Sequence, residues 1–306
     1  MRPNLRAYPR VLLFTAVKTL ARRLGGGAFA HSRGGQLLRR FAFSITRPVS
    51  ASIDGHTIYL DANDTLELGT LRPFEPLETA LFKRAVMPGS VVVDLGANIG
   101  YYTLLAARGA GASGRVFAFE PAPDNLRLLR RNLAVNGYSN VTVVPKAVAA
   151  ESGRARLYLS ERNLGDHRIY DSQDGRPSVD VPQVSLDEFF GEAGGAVDVV
   201  KMDIQGAEPG ALRGMRAVLE RSRELVLFTE VWPHGMTRFG GDPRAFLEEL
   251  AAQGFRGFDV SEAKGRVRRV ELAKMSLAEF GPEDYTTLMC VRGAVRGWEP
   301  GLVQGY

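Results

Sequence analysis

Three apolar runs of this chain stop on an acidic side chain and then turn: SVVVDLGANIG at 90–100, RVFAFEP at 115–121 and DVVKMDIQGAE at 198–208. A core gains nothing from carboxyl groups at its lip, so they either cap the next helix or face a ligand. In the first run the spacing is Asp94-x-Gly96-x-x-x-Gly100, not the G-x-G-x-x-G that cradles a pyrophosphate. The glycines let backbone approach a ligand closely. A carboxylate beside them would repel a diphosphate and engage an ammonium group. Glu120, ending the second run, is placed to accept both hydroxyls of a ribose. Asp94, the glycine turn and Glu120, each at its own strand end, together describe a site for S-adenosylmethionine (SAM).

Methyl transfer from a sulfonium is a direct displacement, so positioning supplies much of the rate. A hydroxyl nucleophile also needs its proton removed or its pKa lowered, by a base or by a divalent metal. Asp203 ends the third of these runs, and Glu230 ends a further one, LVLFTEV at 225–231. Adjacent parallel strands lie about 4.8 Å apart, which lets the two carboxyl groups approach. Such a pair suits Mg²⁺, which keeps several waters and borrows substrate oxygens; a general base is the other route. Glu208, just before Pro209, reads as a first-turn acid favoured by the helix dipole. Lys201 either pairs with a nearby carboxylate or contacts cofactor or acceptor. The polar loop NLGDHRIYDSQDGR at 163–176 offers His167 as a base, with Asp166 to orient it and Arg168 to hold an anionic substrate. The competing reading is a surface histidine. His234 is a weaker alternative, and His56 is structural.

The elements that must position these groups follow from periodicity. SIDGHTIYLD at 52–61 reads as a hairpin around an Asp-Gly turn. Helical spacing runs over 74–87 until Pro88-Gly89 stops it. Strands are then expected at SVVVD, RVFAF, NVTVVPKAVA, DVVKMD, ELVLFTEVW, GFRGFDVS and DYTTLMCVRG. Helices are expected after Gly100, over 123–136, at SLDEFF, over PGALRGMRAVLE and over DPRAFLEELAAQG, with GRARLYLS hairpin-like before the polar loop. Strands alternating with helices imply an α/β fold with a mostly parallel sheet and helices on both faces.

DLGANIGYYT, FAFEPAPDNLRLLRRNLAVNG and VDVVKMDIQGAE, preceded by SLDEFF, resemble the FkbM family of SAM-dependent methyltransferases over roughly residues 75–235. The resemblance implies a class I SAM-methyltransferase fold, Rossmann-like and seven-stranded, with an antiparallel last strand that DYTTLMCVRG would supply. Carried over position by position, Asp94, Gly96, Asn98 and Gly100 form the SAM motif and Glu120 holds the ribose. Where many such enzymes place an Asp after the third strand, this chain has Lys146-Ala147-Val148, so adenine would be read by backbone groups. The family's chemistry leans to O-methylation of a hydroxyl on a small molecule, sugar or glycan. A nicotinamide-dependent oxidoreductase is disfavoured by the glycine spacing. A non-catalytic SAM-fold binding module is disfavoured by the intact set Asp94, Gly96, Gly100, Glu120 and Asp203.

Residues 1–53 hold ten Lys or Arg and no Asp or Glu. Subtracting those ten from the 39 Lys and Arg of the chain leaves 29 against all 34 Asp and Glu, a net of −5 for the rest. The basic character thus belongs to an arm. Its apolar run VLLFTAV at 11–17 is too short to span a bilayer. Two readings stand: a helix on an anionic membrane surface, or a packing helix or disordered arm. The acidic body, and the lack of an Asn-Pro-Pro-Tyr-like tetrapeptide after the fourth strand, argue against nucleic acid. One cysteine, Cys290, allows no internal disulfide and fits a reducing compartment. The expectation is a cytoplasmic enzyme, peripheral at the membrane if the arm binds there. Expected divisions are an arm at 1–50, a hairpin extension at 51–72 and a methyltransferase domain at 73–306.

Overall fold

The computed structural model describes residue 16 and residues 48–70, 73–160, 163–171, 173–191 and 194–295. Of the basic arm at 1–50, only residue 16 and residues 48–50 lie within them. The chain divides into two units, 1–74 and 75–306. In the first, strands β1 (Ser50–Ile53) and β2 (His56–Tyr59) pair antiparallel. Asp54 and Gly55 between them both have positive φ, 49° and 75°, as a two-residue hairpin turn demands. Just beyond, the Asp61 carboxyl accepts from the N–H groups of Asn63 and Thr65 at 2.7 and 2.9 Å, closing a local turn.

The second unit opens with α1 (Pro76–Ala85) and is built on an eight-stranded sheet. Its strands are β3 (Val91–Leu95), β4 (Arg115–Phe119), β5 (Val141–Val144), β9 (Val199–Met202), β10 (Leu225–Val231), β11 (Arg256–Ser261), β12 (Arg266–Val270) and β13 (Thr286–Arg292), in the order β12-β11-β13-β10-β9-β3-β4-β5. Strands β5, β4, β3, β9 and β10 run parallel. The last strand, β13, slots antiparallel between β10 and β11. These are the seven strands the resemblance implies. The eighth, β12, is an addition: RVRRV pairs antiparallel with β11 at the sheet edge, and its exposed arginines hid the strand pattern. Every residue of β9 and β10 is buried, as expected for central parallel strands covered on both faces.

Connections explain the helix ends. Helix α2 (Tyr101–Ala110) follows β3, and α3 (Pro123–Asn136) follows β4, starting at Pro123 and stopping on Gly137 at φ 72°. Short α4 (Leu186–Phe190) is capped by the Ser185 hydroxyl, which accepts from the Glu188 N–H. The expected helix over 209–220 is in fact two, α5 (Glu208–Arg213) and α6 (Arg216–Arg221). They break at Gly214, where a side chain would collide with the Ala149 carbonyl, and the Asp187 carboxyl accepts from Ala217 and Val218 at the start of α6. Helices α7 (Pro233–Arg238) and α8 (Pro243–Ala252) complete the unit, the latter capped by Asp242. A second sheet, β6 (Ala147–Val148), β7 (Gly153–Tyr158) and β8 (Ser178–Val184), is inserted between β5 and β9. Among the described residues no helix is long and apolar enough to cross a membrane.

Strand order reverses at β3: the chain moves outward through β4 and β5, then returns to β9 on the other side. The C-terminal ends of β3 and β9 therefore flank the switch point at which open α/β sheets bind ligands.

Candidate active site

The turn leaving β3 is built on three positive φ angles: Gly96 at 84°, Asn98 at 51° and Gly100 at 97°. A side chain on Gly96 would run into the carbonyl oxygen of Asp203, so this glycine lets the ends of β3 and β9 touch. The turn spends its donors internally. The N–H groups of Gly96 and Ala97 both go to the Phe119 carbonyl, that of Gly100 goes to Ala97, and that of Asn98 reaches Glu120 Oε2 at 2.8 Å. A loop with its N–H groups so committed has little left to cradle a pyrophosphate.

Glu120 is buried and ties the turn after β3 to the turn after β4. Its Oε1 accepts from the Ala122 N–H, also at 2.8 Å. Burial pushes its carboxyl up to about 7, with the two backbone donors pulling the other way. The two backbone donors take one acceptor site on each oxygen and the Asn125 side chain also donates to this carboxyl, which leaves acceptor capacity for a hydroxyl such as one of a ribose. Asp94 is sealed at the end of β3, where Thr103 on the first turn of α2 donates to Oδ2 at 2.5 Å. Burial raises it to about 6, while Thr103 and Lys201 lower it. The group expected to face an ammonium thus has a protein hydroxyl on it as well. Of Lys146-Ala147-Val148, the Lys146 N–H bonds back to Val144 and the other two form β6.

The ends of β9 and β10 bring together the carboxyl pair. Register places Met202 against Thr229, so Asp203 and Glu230 follow side by side. One amide joins them: Gln205 Nε2 donates to Asp203 Oδ1 at 2.9 Å and to Glu230 Oε2 at 3.3 Å. The Asp203 side chain is 39% exposed, whereas Glu230 is buried. Burial first, then Asp203 and Glu208, push Glu230 well above the ordinary carboxyl range. Lys201, buried, sits 3.0 Å from Glu78 Oε1, 3.8 Å from Asp203 Oδ2 and 4.9 Å above the Tyr102 ring. Of the two readings of Lys201, the structure shows the carboxylate partner. Glu208 is fully buried, and its Oε1 accepts from the Ile204 N–H at 2.9 Å. It holds the turn that carries Asp203 and Gln205, a more specific task than that of a first-turn acid. Burial lifts it to about 7.

Sequence reasoning missed what α1 contributes. Glu75, preceding Pro76 in a left-handed conformation at φ 39°, accepts from the Tyr102 hydroxyl at 2.7 Å. Burial, followed by Glu78, raises it to about 8. Glu78 takes Lys201 on one oxygen and the Thr287 hydroxyl on the other, the latter at 3.1 Å. Tyr285 is raised to about 12 by burial, then by Glu230, Glu75 and Asp203, which places its hydroxyl in the same field. FEPLETALFKRA carries no spacing that sets Glu75 or Glu78 apart from ordinary helix-start acids. Glu75 at Pro76, with a hydroxyl-bearing YYT after the glycine turn, is the only local hint.

The 163–176 loop crosses this end of the sheet. Asn125, on α3, holds the Leu164 carbonyl at 3.0 Å, and the Arg168 guanidinium lies 4.7 Å over the Trp232 ring, just past β10. The triad expected within the loop is not formed. Asp166 binds Arg168 Nε at 2.6 Å and Arg176 Nη2 at 2.8 Å instead of orienting His167. His167 Nδ1 accepts from the Ser160 N–H at 3.0 Å, so in the neutral ring the proton is on Nε2 and the basic nitrogen is occupied. Burial also lowers its pKa. His167 can take a proton only by giving up that backbone bond, so in this arrangement it is a loop anchor. His234 stacks at a tilt 6.3 Å from Trp232. Among the described residues no three His, Cys, Asp or Glu side chains converge as a metal centre would require. Mg²⁺ finds here only the Asp203–Glu230 pair, with an amide between its members.

A Rossmann-like sheet with antiparallel β13, a glycine turn beside an acid at the switch point, and a carboxyl pair one strand away define a methyltransferase. The Methyltransferase FkbM domain profile matches residues 94–256, more than half of the chain, and the protein belongs to that family. Methyltransferase 1 of Beauveria bassiana is 30% identical over 146 residues, covering 41% of this chain and 58% of that protein. Hexuronic acid methyltransferase AglP of Haloferax volcanii is 26% identical over 184 residues, covering 58% and 72%. The chain thus spans less than two thirds of the fungal relative. Among solved structures, a putative methyltransferase from Streptococcus mutans in complex with SAH aligns with a TM-score of 0.44 at 14% identity, over 72% of this chain and 98% of that one.

Proposed function

We propose that this methyltransferase uses SAM and methylates a hydroxyl of a small molecule, sugar or glycan. The observation that supports it most is the approach of Gly96 to the Asp203 backbone carbonyl: the turn suited to the cofactor lies against the backbone of the residue whose carboxyl suits the acceptor. When bound, SAM supplies a methyl group activated on a sulfonium. Glu120 would hold the ribose through its remaining acceptor capacity, with Gly96, Asn98 and Gly100 shaping the turn beneath. Asp94 adds negative potential where an ammonium group would lie. Asp203, the most exposed acid of the cluster, takes the acceptor's proton, and Glu230 with Gln205 fixes its orientation. The Haloferax relative is named for a hexuronic acid. A polyhydroxylated ring of that kind suits a mouth of carboxyl and amide groups, with Tyr285 in the field of Glu230 and Asp203.

The test pairs calorimetry with turnover. Asp203→Asn should keep the affinity for S-adenosylhomocysteine and lose at least about a hundredfold in methyl transfer across a panel of sugar and phenolic hydroxyl acceptors. Wild-type protein that ignores S-adenosylhomocysteine at millimolar concentration would end the cofactor reading. Full turnover by Asp203→Asn would remove this residue from the chemistry.

A further inference from the structure

Gln205 stands in the turn after β9 at φ 56°, a conformation that crowds Cβ against the backbone of an L residue. What it gains is direction. Its Nε2 lies within hydrogen-bond reach of one oxygen on each carboxyl, Asp203 at 2.9 Å and Glu230 at 3.3 Å. An amide nitrogen carries two hydrogens and so can serve both.

We propose that Gln205 is a positioning residue whose amide fills, as a neutral donor, the gap between Asp203 and Glu230 that a divalent cation would otherwise bridge, and so makes this centre metal-independent. A divalent cation wants oxygen ligands at about 2.0–2.6 Å. Here the space between the two carboxyl groups holds N–H hydrogens, whose partial positive charge opposes a cation. The other Asp203 oxygen is turned to the Lys201 ammonium at 3.8 Å, which opposes a cation from that side too. With both oxygens facing donors, Asp203 keeps one orientation. The proposal rests on the reading of Asp203 as the acceptor-side group, and its test needs neither acceptor nor turnover.

Mn²⁺ alone is titrated into wild-type protein, Gln205→Ala and Gln205→Glu, followed by calorimetry and by the electron paramagnetic resonance signal of free Mn²⁺. Folding is checked by near-ultraviolet circular dichroism. Gln205→Glu places a third carboxylate where the amide stood, a set of oxygens suited to a divalent cation. The expected order of affinity is wild type, then Gln205→Ala, then Gln205→Glu, with the last at least about tenfold above wild type. Wild-type protein that binds Mn²⁺ as tightly as Gln205→Glu overturns the proposal, and so do two folded variants that bind no better than wild type. S-adenosylhomocysteine binding is measured on the same samples. Its failure in wild type counts against the cofactor reading and leaves the metal comparison intact.

Discussion

Replacing Gly96 by alanine tests the contact on which the site depends, and Gly254 provides the control. Both glycines have positive φ, 84° and 81°, so both alanine variants carry the same backbone strain, about 1–2 kcal/mol. They differ in what the new methyl meets. Beside Gly254 there is nothing within 4 Å. At Gly96 the methyl falls on the Asp203 carbonyl, far inside the 3.4 Å at which ordinary contact begins. That neighbour is backbone, held by the Asp203 N–H bond to Leu95 at 3.0 Å, and it cannot rotate away as a side chain would. Overpacking of this kind costs about 1–3 kcal/mol. Gly96→Ala should therefore lose about 2–5 kcal/mol in all and Gly254→Ala about 1–2.

Urea unfolding at one pH gives both values, and their difference isolates the steric part. In a domain of this size each kcal/mol is worth about 2–4 °C in Tm, so a thermal melt separates the two variants as well. The displaced carbonyl belongs to Asp203, so Gly96→Ala should also lower turnover, which Gly254→Ala should not. Equal destabilisation of the two variants, within about 0.5 kcal/mol, would refute the claim that β3 and β9 touch through Gly96.

Two further substitutions probe the buried charges. Lys201→Met leaves Glu78 and Asp203 without their ammonium and should cost about 3–5 kcal/mol; a loss below about 1 kcal/mol in urea unfolding would show that the pair is not buried as described. Glu208, raised from 4.5 to about 7 by burial, binds its proton more tightly folded than unfolded, so its contribution is full below pH 4.5 and lost as pH rises through about 7. Glu208→Gln should flatten the fall in Tm between pH 5 and pH 8, and a slope equal to wild type would contradict that assignment.

The parts of the fold legible in the sequence are those whose residues interact locally. The runs VVVDL, RVFAF and LVLFTEV announce central strands because every position is apolar or nearly so. The Asp54-Gly55 turn and the Pro123 helix start are readable for the same reason. What escaped was set by partners outside the segment itself. RVRRV is a strand because β11 offers it an edge, not because of its own composition. SVDVPQV does alternate at Val179 and Val181, but Pro182 and the polar residues before it read as loop; pairing, antiparallel with β7 over most of its length and parallel with β6 at its end, makes it a strand. The helix break at 214–215 falls where Ala149 lies against Gly214, a neighbour 65 residues away. The site divides in the same way. Asp94, Gly96, Glu120, Asp203 and Glu230 stand at strand ends, and a doubly wound sheet must gather strand ends at one edge. Glu75, Glu78 and Tyr102 arrive from helices, whose placement no local pattern encodes. Asp166 could be paired with His167 in sequence because they adjoin, yet Arg176, ten residues on, takes its carboxyl.

Around Lys201 the charge balance explains how so acidic a centre can serve this reaction. Glu75, Glu78, Asp203 and Glu230 surround one buried ammonium. Four like charges in a partly desolvated site would repel one another by several kcal/mol. Lys201 answers Glu78 and reaches Asp203, and the Gln205 amide joins Asp203 to Glu230. Burial does the rest: it lifts Glu75 to about 8 and Glu230 well above the ordinary range, which favours the neutral form of both. Transfer of a methyl from a sulfonium consumes positive charge. A surplus of fixed anions would stabilise the cationic ground state more than the transition state and so slow the reaction. In the proposed reaction, a centre whose acids are mostly paired or held toward the neutral form avoids that penalty, and Asp203, its side chain 39% exposed, is the acid the proposal assigns to the acceptor.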